Sequence, residues 1–450
     1  MRKAALAALA VVVFLLTPTL FKPFPRSQTS EQVVLITVSS STWLAGNWYF
    51  WPVIVTGQQL ADAGVNLAEI DSDAMWLEAR VWVRSGLRWR AEWIEVPLQF
   101  DERGAAGRYV AYEDGVFDEN DEIVFFANLT RSGPIGQWYQ QAFRLHLPSS
   151  GEPVEHPSNI VVTANDQYIT VETSNYAAVL ATGGVLAEWH AKLSNGGSEN
   201  IVGDWDPSKR TRNAFHNLRT WIGVTWAAYS DPKPFGDAYE VVKGTGAPIR
   251  AIVYTTSYNA CVYTYNGVNY TYIKILHTMW WFFDKNAMIA ERVAAVAGIN
   301  FTGRSANLQW PVNSLNTGYT WTVAAGSVTN TIVLNAGDKT WTGTDWPQMP
   351  QEWWAAYVPG SELSVATVFR GYNIAGEAPR YGYYAYPGRV QIETNFCWPY
   401  DRSATYTFRE GDIFRTWIVS KLFGAQSDTW FGYRFYLMIY NLPTVTLQLL

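Results

Sequence analysis

Hydrophobic positions along the chain recur mainly at strand spacing. Short segments of about four to eight residues run apolar or alternate apolar with polar, which is the period of a pleated strand. Val33–Val38, Trp51–Thr56, Ala79–Arg84 and Ile123–Phe126 have this character, and Trp89–Phe100 reads as a longer strand or hairpin arm. So do Ile160–Thr163, Tyr168–Thr173, Ala177–Leu180 and Leu363–Phe369. Near the end, Tyr406–Arg409, Arg415–Ser420 and Tyr433–Tyr440 read as closing strands. Glycine and proline punctuate the runs as turns do. No repeat at a fixed period emerges. The pattern predicts an all-β protein: a small N-terminal β-domain followed by a large antiparallel super-β-sandwich.

The order of segments sharpens this division. Arg2 and Lys3 precede an apolar run from Ala4 to Leu16, the charged and apolar regions of an export signal. The bulky Phe21-Lys22-Pro23-Phe24-Pro25 offers no small-residue cleavage site. Residues 1–26 are therefore read as a signal peptide or an uncleaved N-terminal membrane anchor. Residues 27–46 follow as a Ser/Thr-rich spacer, and 47–150 as the small β-domain. Residues 151–158 form a linker within LPSSGEPVEHP, and 159–450 the large sandwich. Either reading of the N-terminus places the protein outside the cell or at its surface.

Composition removes several classes. Charged residues make up only 16% of the 450, but the aromatic share is also 16%, so the chain has the means to fill a core and is not disordered. The net charge of −6 leaves no basic stripe to neutralise phosphates, which argues against a nucleic-acid partner.

Aromatic density peaks in KTWTGTDWPQMPQEWWAAYVPGSELSVATVFR, Lys339–Arg370. Trp346, Trp353 and Trp354 beside Glu352 have the chemistry of a sugar-binding wall, because indoles stack on the C–H faces of pyranose rings. The same residues equally suit the core of a β-sandwich.

Two stretches carry family resemblances. The strand PLQFD and the later DGVFDENDEIVFF resemble the small β-domain that precedes the main sandwich in some exported polysaccharide-active proteins. Pro97, Gln99, Asp101, Asp114, Gly115, Asp118, Asp121, Glu122 and Phe125 carry that likeness. YAAVLATGGVLAEWHAKL (Tyr176–Leu193), GAPIRAIVY (Gly246–Tyr254) and HTMWWFFDKNAMIAERV (His277–Val293) resemble strands of the galactose-mutarotase-like super-β-sandwich, as seen in polysaccharide lyases. The resemblance implies association with carbohydrate.

Familiar catalytic motifs are absent: the chain has no HExxH, GxSxG, Walker loop or CxxC pair. A lyase acting on a uronic-acid polymer needs a base for the proton α to the carboxylate, and cations to offset its charge. His216, Arg212, Arg219 and Asn217 supply these types in one polar loop, with His190 and His277 as alternative bases. A hydrolase would need paired carboxylates, for which Glu352 and Asp345 are the local candidates. No cofactor is required by either route. Calcium is a weaker reading for the acidic loop Asp114, Asp118 and Asp121, although position six of an EF-hand loop counted from Asp118 is Ile123 rather than glycine. Cys261 and Cys397 suit one disulfide or two buried thiols, and Asn128, Asn269 and Asn300 open glycosylation sequons. Three functions stay open: a polysaccharide lyase, a non-catalytic carbohydrate-binding or cell-surface protein, and a structural subunit of a surface layer or filament. The partner is a polysaccharide in the first two, and oligomers would suit the third.

Overall fold

The computed structural model describes residues 31–41, 48–111, 116–181, 185–203, 217–221, 233–265, 268–297, 301–304, 307–329, 331–337, 340–341, 349–370, 380–386, 389–395, 405–411 and 413–450. They form an all-β protein of antiparallel sheets with few helices. Among these residues no helix is long and apolar enough to cross a membrane.

The N-terminal sandwich is built from β1 (Glu31–Ser39), β2 (Trp48–Thr56), β3 (Trp76–Ser85), β4 (Arg88–Val96), β5 (Leu98–Asp101), β6 (Glu122–Leu129) and β7 (Gln140–Pro148). One sheet holds the final strand Thr444–Leu449, then β1, β7, β3 and β4; the other runs β2, β6, β5. Val34, Ile36 and Val38 point into the core, as strict alternation requires. The expected spacer 27–46 thus contains an inner strand. The last strand also leaves the large domain to pair with it, Val34 opposite Leu449 and Val38 opposite Val445.

No strand lies between Pro148 and Val161. Beyond it, nine strands form the central sheet in the order Lys233–Lys243, Arg250–Tyr265, Val268–Phe283, Met288–Ala297, Ile413–Leu422, Ser364–Arg370, Trp353–Tyr357, Trp321–Ala325 and Thr331–Leu334. This sheet is buried on both faces. Ala251, Val253, Trp280, Phe282 and Trp354 enter one core, shared with a five-stranded sheet whose middle strands are Tyr168–Glu172, Tyr176–Ala181 and Val185–Lys192. Ile252, Trp281, Phe283 and Trp353 enter the other, shared with the N-terminal sandwich. Double burial explains why its strands carry unbroken apolar runs such as Trp280–Phe283.

Tyr433–Tyr440, expected as a strand, lies in the α-helix Trp430–Tyr440. Phe431, Phe435, Met438 and Ile439 fall on one helical face and are buried against the central sheet. Gly432 lets the helix settle closely: a Cβ there would lie 2.4 Å from the Ala355 Cβ and 2.8 Å from Trp353.

An ion cluster joins the sandwich to the central sheet. Arg250 is fully buried. Its Nε donates to Asp101 Oδ2 (2.9 Å), and its Nη2 to Glu122 Oε2 (2.7 Å) and the Tyr109 hydroxyl (3.1 Å). Gln99 completes the joint, its Oε1 accepting the Ile249 and Arg250 amides and its Nε2 donating to Asp101. The guanidinium stacks on Trp281. Gln99, Asp101 and Glu122, three of the residues behind the first resemblance, are therefore spent on holding the two halves together.

Candidate functional site

A pocket of about 240 Å³ lies where the N-terminal sandwich meets the central sheet. Its mouth is made by a bulge in β2. Trp48 pairs with Leu129 and Trp51 with Ala127, so Tyr49 and Phe50 together oppose Asn128. A bulge re-aims the side chains it carries. Tyr49 and Phe50 are accordingly 59% and 40% exposed, which is high for aromatics flanked by the buried Trp48 and Trp51. Phe50 has φ of +49°, a costly conformation for a bulky residue. The Asn128 side chain supports it, Oδ1 accepting the Phe50 amide at 2.8 Å, and Phe126 meets the Phe50 ring edge-on at 6.1 Å.

The floor is polar. It comes from the turn after strand Val268–Phe283, from the end of strand Ile413–Leu422, and from residues near both ends of the hairpin Tyr176–Lys192. Asp284 accepts from the Ser174 amide (2.8 Å) and hydroxyl (2.7 Å), and Asn175 Nδ2 donates to the Asp284 and Lys285 carbonyls, both at 2.9 Å. These bonds lock two sheets together beneath the pocket. Three lysines line it. Lys285 reaches Asp284 at 3.2 Å and Lys192 reaches Glu172 at 2.9 Å. Lys421 differs: its Nζ donates to the Asn286 carbonyl and lies over the Phe423 ring, with no carboxylate partner among the described residues. Burial without an anion brings its pKa down to about 7. Glu362 also lines the pocket and accepts from the Ser194 amide and hydroxyl, which holds its carboxyl below the usual range.

The arrangement offers two aromatic faces, amide groups and a lysine that has no carboxylate partner among the described residues. It can hold a small ring that carries hydroxyls and a negative group. The volume is below the roughly 300–1,000 Å³ of drug-sized sites, which limits the occupant to about one ring at a time.

Among the described residues, none of those singled out from sequence for chemistry lines this pocket. Trp353 and Trp354 are wholly buried, one in each core, so they present no face to a ligand. Unbroken apolar burial, not a binding wall, explains that pair. Glu352 adjoins them, its carbonyl accepting the Phe369 amide. Trp346, Asp345, His216 and Arg212 lie outside the described residues. Asn217 and Arg219 begin the strand Asn217–Trp221, whose side chains lie outside the description. His190 is half-buried on strand Val185–Lys192 and bonds Glu188 at 2.9 Å, and His277 bonds Thr256 at 3.1 Å.

The acidic loop is engaged internally. Asp121 accepts the Arg103 and Asp118 amides, both at 2.8 Å, and Asp118 caps the Asn120 amide. These carboxylates close a turn rather than a cation shell, and no group of three ligating side chains suited to a metal occurs among the described residues. Asp114, Cys397 and Asn300 lie outside them. Cys261 and Asn269 sit on strands Arg250–Tyr265 and Val268–Phe283, with side chains likewise outside the description. Asn128, the remaining sequon, is the residue that supports the bulge. The pocket itself was missed because its aromatics sit in a short WYFW run that reads as core, and its lysine in a strand that reads as scaffold.

No protein-family model matches the chain, and no curated protein matches its sequence. Similar solved structures include a protein in the glycosyl hydrolase family 38 from Enterococcus faecalis, with TM-score 0.48, 9% identity, and 92% of this chain covering 47% of that one. An α-mannosidase from Enterococcus faecalis V583 gives TM-score 0.46 and 9% identity, covering 93% and 46%. The GH36 α-galactosidase AgaB from Geobacillus stearothermophilus gives 0.33 and 13%, covering 60% and 41%. The chain spans about half the length of the first two.

Proposed function

We propose that this is an exported, cell-surface or extracellular protein that binds an acidic saccharide, with one ring seated between the Tyr49–Phe50 bulge and Lys421. One observation carries the reading: an exposed aromatic pair, its Phe50 strained, is displayed at the mouth of a pocket whose floor holds a lysine with no carboxylate partner among the described residues. An apolar sugar face would stack on the rings, and the sugar carboxylate would pair with Lys421 and draw a proton onto it. Asn175 and Asn286 lie close enough to meet hydroxyls.

Isothermal titration with uronic-acid oligosaccharides and their neutral counterparts tests this. The acidic series is expected to bind, the neutral series to bind at least tenfold more weakly, and Phe50→Ala and Lys421→Met each to lower acidic affinity by about tenfold or more, the worth of one lost contact. Equal affinity for both series, or no effect of either substitution, would refute it.

A second reading is favoured by the lowered pKa of Lys421. A neutral amine near pH 7 can act as a base. In a β-eliminating lyase it would take the C5 proton of a uronate. The C5–H electrons would form the C4–C5 double bond, and the C4–O bond would break with a proton passing to the leaving oxygen. Lys285 and Lys192 would then offset the carboxylate. Growth of ultraviolet absorbance from unsaturated product, abolished in Lys421→Met, would support the lyase; binding without absorbance would leave the binding protein.

A further inference from the structure

Strand β4 forms one edge of the five-stranded sheet, with no strand on its outer side among the described residues. It joins β3 through the two-residue loop Gly86-Leu87, with Ser85 opposite Arg88 and Gly86 at φ +62°. Such a loop makes the flanking pair a hydrogen-bonded one. The register continues with Val83 opposite Arg90, Val81 opposite Glu92 and Ala79 opposite Ile94. Arg88, Arg90, Glu92 and Ile94 therefore spend their backbone groups on β3, and Trp89, Ala91 and Trp93 turn theirs outward. The edge is well exposed: Trp89 is 40% and Ile94 45% accessible, and the Arg90 side chain 75%.

We propose that this edge pairs antiparallel with the same edge of a second copy of the chain, about a two-fold axis through Ala91. The segment Trp89-Arg90-Ala91-Glu92-Trp93 is self-complementary in that register. Trp89 faces the copy's Trp93, Arg90 faces its Glu92, and Arg88 faces its Ile94, each twice. The outward backbone groups of Trp89, Ala91 and Trp93 form the hydrogen-bonded pairs. The Arg90–Glu92 pairs fall at the closely spaced positions between them, where cross-strand side chains interact most. Moving the axis one residue either way sets Arg90 against Arg90 or Glu92 against Glu92, which is unfavourable. Charges on an edge strand ordinarily discourage pairing. Here their signs are opposite at mirror-related positions, so they select the self-pairing and close it as an isologous dimer. The result is one ten-stranded sheet across two copies.

Sedimentation velocity on the full chain at about 100 µM reads dissociation constants in the micromolar range. The wild type is expected to be dimeric. Ala91→Pro removes an outward N–H and no bond to β3, so it is expected to be monomeric with an unchanged circular dichroism spectrum. Arg90→Glu and Glu92→Arg are each expected to be monomeric alone, because each creates two like-charge pairs. Mixed in equal amounts they are expected to form a heterodimer, because both cross pairs then have opposite sign. A monomeric wild type, a dimer that persists in Ala91→Pro, or a mixture that stays monomeric would overturn the proposal. Pairing with a strand of some other protein would give the first of these results.

Discussion

Replacing Arg250 with methionine should destabilise the protein more than any surface change. The guanidinium makes charge-assisted hydrogen bonds to Asp101 and Glu122 and a further one to Tyr109, all out of water. Methionine fills much of the same volume against Trp281 but leaves both carboxylates facing a neutral neighbour. Asp101 would keep Gln99, and Glu122 would keep Tyr109 and Arg103 at 3.0 Å. Removing one partner of a buried ion cluster costs about 3–5 kcal/mol, a large part of the roughly 5–15 kcal/mol that keeps a domain folded. Urea unfolding at pH 7, followed by tryptophan fluorescence, measures it as a fall in midpoint. Adding Asp101→Asn and Glu122→Gln should recover at least half the loss at pH 7. A single substitution within about 1 kcal/mol of wild type, the scale of an ordinary hydrogen bond, would refute the reasoning. So would a triple variant weaker than the single one.

Three further outcomes follow from the geometry. Lys421 has a folded pKa near 7 against 10.5 in the unfolded chain, so the unfolded state holds the extra proton between those values and wild-type stability should rise with pH across that window. Lys421→Met should flatten this dependence and add about 2–4 kcal/mol at or below pH 7, allowing for solvent screening of a half-buried amine, as thermal melts from pH 6 to 10 would show. Gly432→Ala should cost about 1–3 kcal/mol by pushing the helix off Trp353 and Ala355, seen as a lower denaturant midpoint with little change in far-ultraviolet dichroism. Asn128→Ala removes the acceptor of the Phe50 amide, and should cost about 1 kcal/mol and weaken saccharide binding without touching the ligand, measured by melting and titration together.

The all-β class was legible because period-two runs and turn residues dominate the chain. Position in the sheet was less so. An unbroken run such as Trp353-Trp354 looks like a display of aromatics, but only the third dimension shows that its two faces enter two cores. Residues 433–440 look like a strand for a related reason: their aromatics favour strands, while the spacing of Phe431, Phe435, Met438 and Ile439 is helical. In the pocket, Phe50 depends on a one-residue bulge fixed by Asn128, nearly eighty residues away. Lys421 owes its character to burial at the end of a strand. Neither leaves a local pattern, since bulges and desolvation are set by the partner strand and by what packs above it.

The pairing of Val34 with Leu449 has a consequence for biogenesis. When β1 emerges from the ribosome, one of its two neighbours is still about 400 residues from being made. At about 5–20 residues per second that interval is roughly 20–80 s. Until then β1 carries an open hydrogen-bonding edge, and a contact of such long sequence separation is slow to form even after release. The last six strand residues, Thr444–Leu449, should therefore act as a latch on folding. A chain ending before them would keep its cores yet expose the edge of β1 to other chains, and would aggregate more readily than it unfolds.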